Sequence, residues 1–150
     1  MKKVLLTGAT GFVGRRLLSC LQKKNLEIVA LSRQMIPNVD CIQCDFTQDT
    51  IPRNAFVGVD TVFHLAGIAH DFRSLKDSES DYRLVNVDVT KKMAERALEF
   101  GVKKFVYVSS IKAGGSPLKG ACMSEGDQNT PADLYGETKR EAELFLLEIA

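Results

Sequence analysis

Apolar residues follow two rhythms along this chain. Short runs rich in β-branched residues occupy positions 3–7, 27–31, 39–44, 61–65 and 104–109, and each is predicted as a strand. Their near-continuous apolar character predicts burial on both faces. Between them the spacing changes to that of a helix: Val13, Leu17 and Leu21 follow the first run, and Tyr82, Val85, Val89, Met93, Ala97 and Phe100 form a stripe within a helix predicted over 78–100. Glu79 and Asp81 suit the positive end of that helix, and Gly101 stops it. A polar, glycine-bearing loop over 112–129 precedes a last helix predicted to begin near Thr130-Pro131, with threonine as cap and proline in the first turn. Strands alternating with helical segments predict an α/β fold with a doubly wound parallel sheet, because parallel neighbours need crossover connections.

Composition narrows the classes without selecting a function. The chain has 150 residues, of which 45% are hydrophobic and 26% charged, values of an ordinary globular domain. A net charge of +1 supplies no global field for nucleic acid or an anionic membrane surface, so an anion must be bound locally. The basic start Met1-Lys2-Lys3 and the apolar Val4-Leu5-Leu6 open like a secretory signal, but Gly8, Gly11 and Gly14 interrupt the run. No apolar stretch approaches the roughly 18 residues of a membrane span, and a cytoplasmic protein is expected. Cys41-Ile42-Gln43-Cys44 has CxxC spacing, yet a strand would direct the two thiols to opposite faces and no second pair completes a zinc site. No metal is expected.

Chemistry enters at Thr7-Gly8-Ala9-Thr10-Gly11-Phe12-Val13-Gly14, a GxxGxxG spacing between the first strand and the first helix. Glycine allows the sharp turn and the close approach of backbone N–H groups to a diphosphate, and the helix N-terminus adds partial positive charge. Gly14 is read as the position that lets the helix pack close to the sheet. A dinucleotide is therefore the expected ligand. At the end of the second strand, where a carboxylate would take the ribose 2'-hydroxyl of NAD, stand Ser32-Arg33. Arg33, joined by Arg15, would instead pair with the 2'-phosphate of NADP, which tilts the expected cofactor from NAD towards NADP; both arginines also fit a solvated surface.

Tyr135-Gly136-Glu137-Thr138-Lys139 is a YxxxK spacing that puts phenol and ammonium one turn apart on one helix face. A nicotinamide oxidoreductase acting on an alcohol or ketone needs a proton donor beside the carbon that exchanges hydride. Tyr135 can serve, since a neighbouring ammonium favours the phenolate. Phe105 to Ile111 reads as an apolar run that delivers Ser109 and Ser110 to the C-terminal edge of the sheet.

Taken in this order, the TGxxGxxG turn, the serine pair and YxxxK resemble the short-chain dehydrogenase/reductase superfamily, in particular its extended branch of nucleotide-sugar epimerases, dehydratases and reductases. The resemblance implies a Rossmann fold and assigns Gly8, Gly11, Phe12, Val13 and Gly14 to the cofactor diphosphate, Asp45-Phe46 to the adenine, and Leu65-Ala66-Gly67 to the backbone lying along the cofactor. It implies Ser110 as the hydroxyl that polarises the substrate oxygen, Tyr135 as acid and base, Lys139 as its partner and ribose ligand, and Asn86 as a supporting residue. Asp45 also reads as a plain turn carboxylate, and His64 as a packed strand residue.

Where many members read NVxGT this chain has Asn86-Val87-Asp88-Val89-Thr90, and where they read SxxxYG it has Ser110-Ile111-Lys112-Ala113-Gly114-Gly115. Ser-Ser-Ile-Lys looks like members acting on UDP-linked amino sugars in surface-polysaccharide synthesis, such as 4-keto reductases. A steroid or flavonoid ketone is a further substrate class, and a non-catalytic NADP-binding regulatory module is the competing function. Extended members continue for a comparable length again, so residues 1–150 are expected to be the cofactor-binding domain, ending after the fifth strand and its helix without the substrate domain. Leu146, Leu147 and Ile149 would then present apolar surface, and a homodimer through the helices carrying Asn86 and Tyr135 is expected.

Overall fold

The computed structural model describes residues 2–69, 75–117 and 122–150. Five strands are present: β1 (Lys2–Thr7), β2 (Leu26–Ser32), β3 (Asp40–Gln43), β4 (Thr61–His64) and β5 (Lys104–Tyr107). The helices are α1 (Phe12–Gln22), α2 (Leu75–Arg83), α3 (Val89–Glu99) and α4 (Leu134–Glu148), with a π-turn over Leu84–Asp88 and short 3₁₀ turns at Arg53–Phe56 and Ile111–Gly114. Residues 118–121 of the predicted loop lie outside the described residues.

All pairings in the sheet are parallel and its order is β3-β2-β1-β4-β5. The chain leaves β1 for β2 on one side and later starts β4 on the other, so the order reverses at β1. In parallel sheets that reversal opens a crevice above the strand ends, where such folds hold ligands. The burial pattern follows position in the sheet. Leu5, Leu6, Val29, Ala30, Leu31 and Val62 on the three inner strands are almost inaccessible. The outer strands depart from the prediction: β3 has no fully buried residue, and Val106 of β5 is 39% exposed. An edge strand lacks a neighbour on one side, so an apolar run there does not guarantee burial.

The chain divides into two compact units. The first holds the sheet, α1 and α3 from Lys92 onward. Leu18 and Leu21 of α1 pack with Val4, Leu6, Ala9 and Ala30, while Met93 and Ala97 of α3 are buried and Gly101, at φ +68°, ends that helix where expected. The second unit comprises residues 68–91 and 109–150, and so contains the π-turn, the Ile111–Gly114 turn and α4. The predicted helix over 78–100 is thus two α-helices joined by a π-turn. Its buried stripe is nevertheless observed from Tyr82 through Ala97.

Of the boundaries that move, two lie beside the site residues. β5 ends at Tyr107, two residues earlier than predicted, because Ser110 turns the chain into the 3₁₀ segment. The last helix starts at Leu134, capped by Asp133 and not by Thr130: the Asp133 carboxylate accepts from the Gly136 amide at 2.8 Å.

Candidate active site

In the first unit the chain leaves β1 at Thr7 and turns at Gly8, whose φ of +69° belongs to the left-handed region. Gly11 closes the turn by donating its amide to Gly8 O at 3.0 Å, then caps α1 with no side-chain acceptor. The first turn of α1 also has no acidic residue, so its free N–H groups and partial positive charge have no side chain assigned to them. A Cβ at Gly14 would overlap Gly8 O and lie 2.8 Å from Gly8 C. Gly14 therefore accommodates the turn itself, which refines the reading that it serves contact between helix and sheet. A Cβ at Gly8 would meet Leu65 C at 2.6 Å and Ala66 N at 2.7 Å, so the turn lies directly against the segment leaving β4. These features fit a diphosphate, which needs a side-chain-free backbone at a helix N-terminus.

A hydroxyl ties the same two segments together. Thr7 Oγ1 accepts from the amides of Leu65 and Ala66 at 3.2 and 3.1 Å and contacts His64 Nδ1 at 2.8 Å. With two donors already aimed at it, Thr7 gives its own proton to Nδ1, which assigns the ring proton to Nε2. His64 is fully buried, with the rings of Phe105 and Tyr107 beside it, a packed residue as expected. Phe12 and Val13 are exposed at the start of α1.

Arg15 and Arg33 are both exposed. Arg33 lies close enough to Asp45 to contribute to holding its carboxyl below the usual range, after the larger effect of the Thr47 amide and hydroxyl. Oδ1 of Asp45 accepts both Thr47 groups, at 3.0 and 2.8 Å, so the residue is a turn carboxylate in this structure, followed by a half-buried Phe46. Cys41 and Cys44 are free thiols, and burial beside Asp49 and Asp45 pushes Cys44 up to about 11, which suppresses thiolate chemistry. Among the described residues no group of three or more His, Cys, Asp or Glu is placed to hold a metal.

The second unit gathers Asn86, Ser110, Tyr135 and Lys139. Asn86, 1% exposed in the π-turn, accepts from Ile68 N at 2.8 Å, and its amide donates to Ile68 O at 3.0 Å and Thr138 Oγ1 at 3.1 Å. Thr138 passes its proton to Tyr135 O at 3.0 Å. One side chain therefore couples the stretch after Gly67 to the first turn of α4. The π-turn makes this possible by inserting an extra residue, and Thr90 satisfies the displaced Asn86 carbonyl at 2.8 Å.

Lys139 follows Tyr135 by one turn and is 4% exposed. Burial pushes its ammonium down to about 8, offset in part by Glu143. Ser110 is half-buried, and its Oγ accepts from Lys112 N at 3.3 Å, so it caps the short turn instead of ending a strand. The turn comes close to Tyr135: a Cβ at Gly136 would lie 2.5 Å from Lys112 O, and Lys112 Nζ stands 6.0 Å from the centre of the Tyr135 ring. Ser109 has a buried Oγ with no partner among the described residues. Gly115, at φ +82°, allows the returning Asn129-Thr130 backbone to pass at 2.6 to 2.7 Å from where a Cβ would stand. Gly115 is thus the glycine of the family pattern, while the missing tyrosine falls at Gly114, where a Cβ would meet only Met123 Cε at 3.5 Å and Asp127 O at 3.7 Å, and nothing in the structure explains its absence.

Sequence reasoning missed Thr7, Thr138 and Asp133. Thr7 and Thr138 act by hydrogen bonds to distant segments that local patterning does not register. Asp133 was legible, as a strong capping residue before Leu134 with Glu137 in the first turn.

A glycine turn at a helix N-terminus on a parallel sheet whose strand order reverses is the arrangement of a Rossmann-like α/β protein. The chain belongs to the NAD dependent epimerase/dehydratase family, whose sequence model matches residues 4–150. It is 35% identical over 158 residues to a UDP-glucose 4-epimerase of Vibrio cholerae, covering 99% of this chain and 47% of the relative. A 3-beta-hydroxysteroid dehydrogenase of Mycolicibacterium neoaurum is 32% identical over 161 residues, covering 97% and 42%. Among solved structures, MoeE5 in complex with UDP-glucose and NAD superposes with a TM-score of 0.84 at 31% identity, over 97% of this chain and 48% of that one. The chain thus spans about half the length of the relatives it matches. No described helix is long and apolar enough to cross a membrane.

Proposed function

We propose that this chain is the cofactor-binding and proton-transferring half of an NAD(P)-dependent enzyme that epimerises, dehydrates or reduces a nucleotide sugar, with the sugar pocket supplied by sequence beyond residues 1–150. The observation that carries the reading is the buried Lys139 one turn after Tyr135 on α4. Burying a lysine is costly, and a lysine held 4% exposed one turn from a phenol marks a position kept for its chemistry. The uncapped start of α1 and the glycines at 8, 11 and 14 would hold the cofactor diphosphate, and Leu65, Ala66 and Gly67 would border it. Arg33, standing in place of a carboxylate, supports the phosphorylated cofactor, NADP. Asp45 and Phe46 remain the residues proposed for the adenine.

When bound, the nicotinamide supplies the hydride acceptor. Tyr135 takes or returns the proton of the sugar hydroxyl, Lys139 favours the phenolate, Ser110 donates to the sugar oxygen, and Asn86 holds the start of α4 in place. Similarity to a UDP-glucose 4-epimerase and to MoeE5 in complex with UDP-glucose and NAD supports a nucleotide sugar as substrate, while the steroid dehydrogenase relative supports the steroid ketone as the second reading. Fluorescence titration of the chain with NADPH and NADH tests the cofactor half: Gly14→Ala is expected to weaken both at least tenfold, and Arg33→Ala to weaken NADPH alone. Equal affinities that Arg33→Ala leaves unchanged would remove the case for NADP. In the protein extended to the family's length, Tyr135→Phe is expected to lower turnover of UDP-sugars by a factor of 100 or more, on the order of the usual contribution of general acid–base catalysis. Undiminished turnover would exclude the role given to Tyr135.

A further inference from the structure

We propose that Lys112 is a second cationic partner of Tyr135, a positioning residue that its ion pair with Asp133 holds over the phenol ring, so that the proton equilibrium of Tyr135 is set from the Ile111–Gly114 turn as well as from its own helix. The proposal rests on the reading of Tyr135 as the proton-transfer group and adds a residue to it.

The geometry has three parts. Asp133 uses its two oxygens separately: Oδ1 accepts the Gly136 amide at 2.8 Å and caps α4, and Oδ2 takes Lys112 Nζ at 2.5 Å. One carboxylate therefore fixes both the helix that carries Tyr135 and the ammonium facing it. The Lys112 backbone is held as well, because its carbonyl fills the space that any side chain at position 136 would need. With both ends of Lys112 tied to the first turn of α4, Nζ stands 6.0 Å from the ring centre of Tyr135, the outer range of a cation–π contact.

The charges around this pair make Lys112 consequential. From α2, the buried Tyr82 also attracts the Lys112 ammonium. From α4 come Lys139, with Glu143 behind it, and the exposed Glu137. Asp133, at the start of α4, is the nearest charge to Lys112 among the described residues. Lys139 sheds its proton near pH 8, whereas the hydrogen bond and charge of Asp133 hold Lys112 above the usual lysine range. On the alkaline side of neutrality Lys112 thus remains a cation beside Tyr135 after Lys139 has lost its charge. Its side chain is 55% exposed, so solvent screens the effect and keeps it modest.

The chain has three tyrosines, Tyr82, Tyr107 and Tyr135, so labelling with tyrosine carrying ¹³C at Cζ gives three signals that single phenylalanine replacements assign. Alkaline titration of the chain then reads Tyr135 directly. Lys112→Met is expected to move the Tyr135 midpoint up by about half to one pH unit, the size of a charge removed at this distance in a solvent-exposed setting. Lys112→Arg should restore the parent midpoint to within about 0.2 unit, and Tyr107 should not respond. Lys112→Gln provides a second neutral side chain, with the Tyr107 signal as the monitor of folding. A Tyr135 midpoint unmoved in both neutral variants overturns the proposal, as does an arginine variant that shifts as far as methionine. Neither substrate nor cofactor enters the titration, so this failure is distinct from that of the proposed function, which the turnover of Tyr135→Phe decides.

Discussion

At the scale of single residues, Lys139 carries the clearest conflict between stability and chemistry. Its ammonium titrates near 8 in the folded chain and at the ordinary lysine value of 10.5 when exposed on unfolding. Between those two values the unfolded chain binds more protons than the folded one, so stability rises with pH across that window. Below about pH 8 both states are protonated and the full cost of burying the charge is present. Lys139→Met keeps the aliphatic stem and removes the charge. It is expected to stabilise the chain at pH 7 by on the order of 1–3 kcal/mol in urea unfolding, with the gain shrinking as pH approaches 10.5. A variant less stable than the parent at pH 7, or a difference independent of pH, would show that other contacts of Lys139 compensate its burial.

Among the elements, the π-turn between α2 and α3 decides how α4 is held. Asn86 satisfies both backbone groups of Ile68 in the manner of a short strand and still reaches Thr138. Asn86→Ala leaves the Ile68 amide and carbonyl without their partner and is expected to cost about 2–4 kcal/mol of unfolding free energy, whereas Thr138→Val, which loses a single bond, should cost about 1 kcal/mol. Equal losses would mean that the tie to Ile68 contributes nothing of its own. The same region shows what the sequence could convey. The stripe from Tyr82 to Ala97 was legible because burial repeats at helical spacing, and the glycine turn was legible because its spacing has few other uses. The π-turn was not, since one inserted residue shifts the stripe too little to break its rhythm, and the bonds of Asn86 join positions 18 and 52 residues apart. For the same reason Asn86 and Tyr135 could be named as candidates from the family pattern, while Thr138, the residue that connects them, could not.

At the scale of the whole molecule the remaining question is what covers the apolar positions of the last helix. Leu144 and Leu147 of α4 are 52% and 74% exposed, three residues apart and therefore neighbours on one face. On the same helix Glu141 pairs with Arg83 and Lys91, so the α4 face turned towards α2 and α3 is already occupied by charge within the unit. Scattered exposed leucines need no explanation, but a leucine pair on one face of a helix is a surface at which a second copy would gain apolar burial. The helices carrying Asn86 and Tyr135 are the ones proposed to meet across a dimer. Light scattering over a concentration series is expected to give a mass approaching twice 16.6 kDa, and Leu147→Glu, which puts a charge into that surface, should return it to the single-chain value. Because Leu147 is largely exposed, the substitution should leave the unfolding transition of the isolated chain unchanged. A chain that stays at 16.6 kDa at the highest concentration reached would rule out self-association through α4.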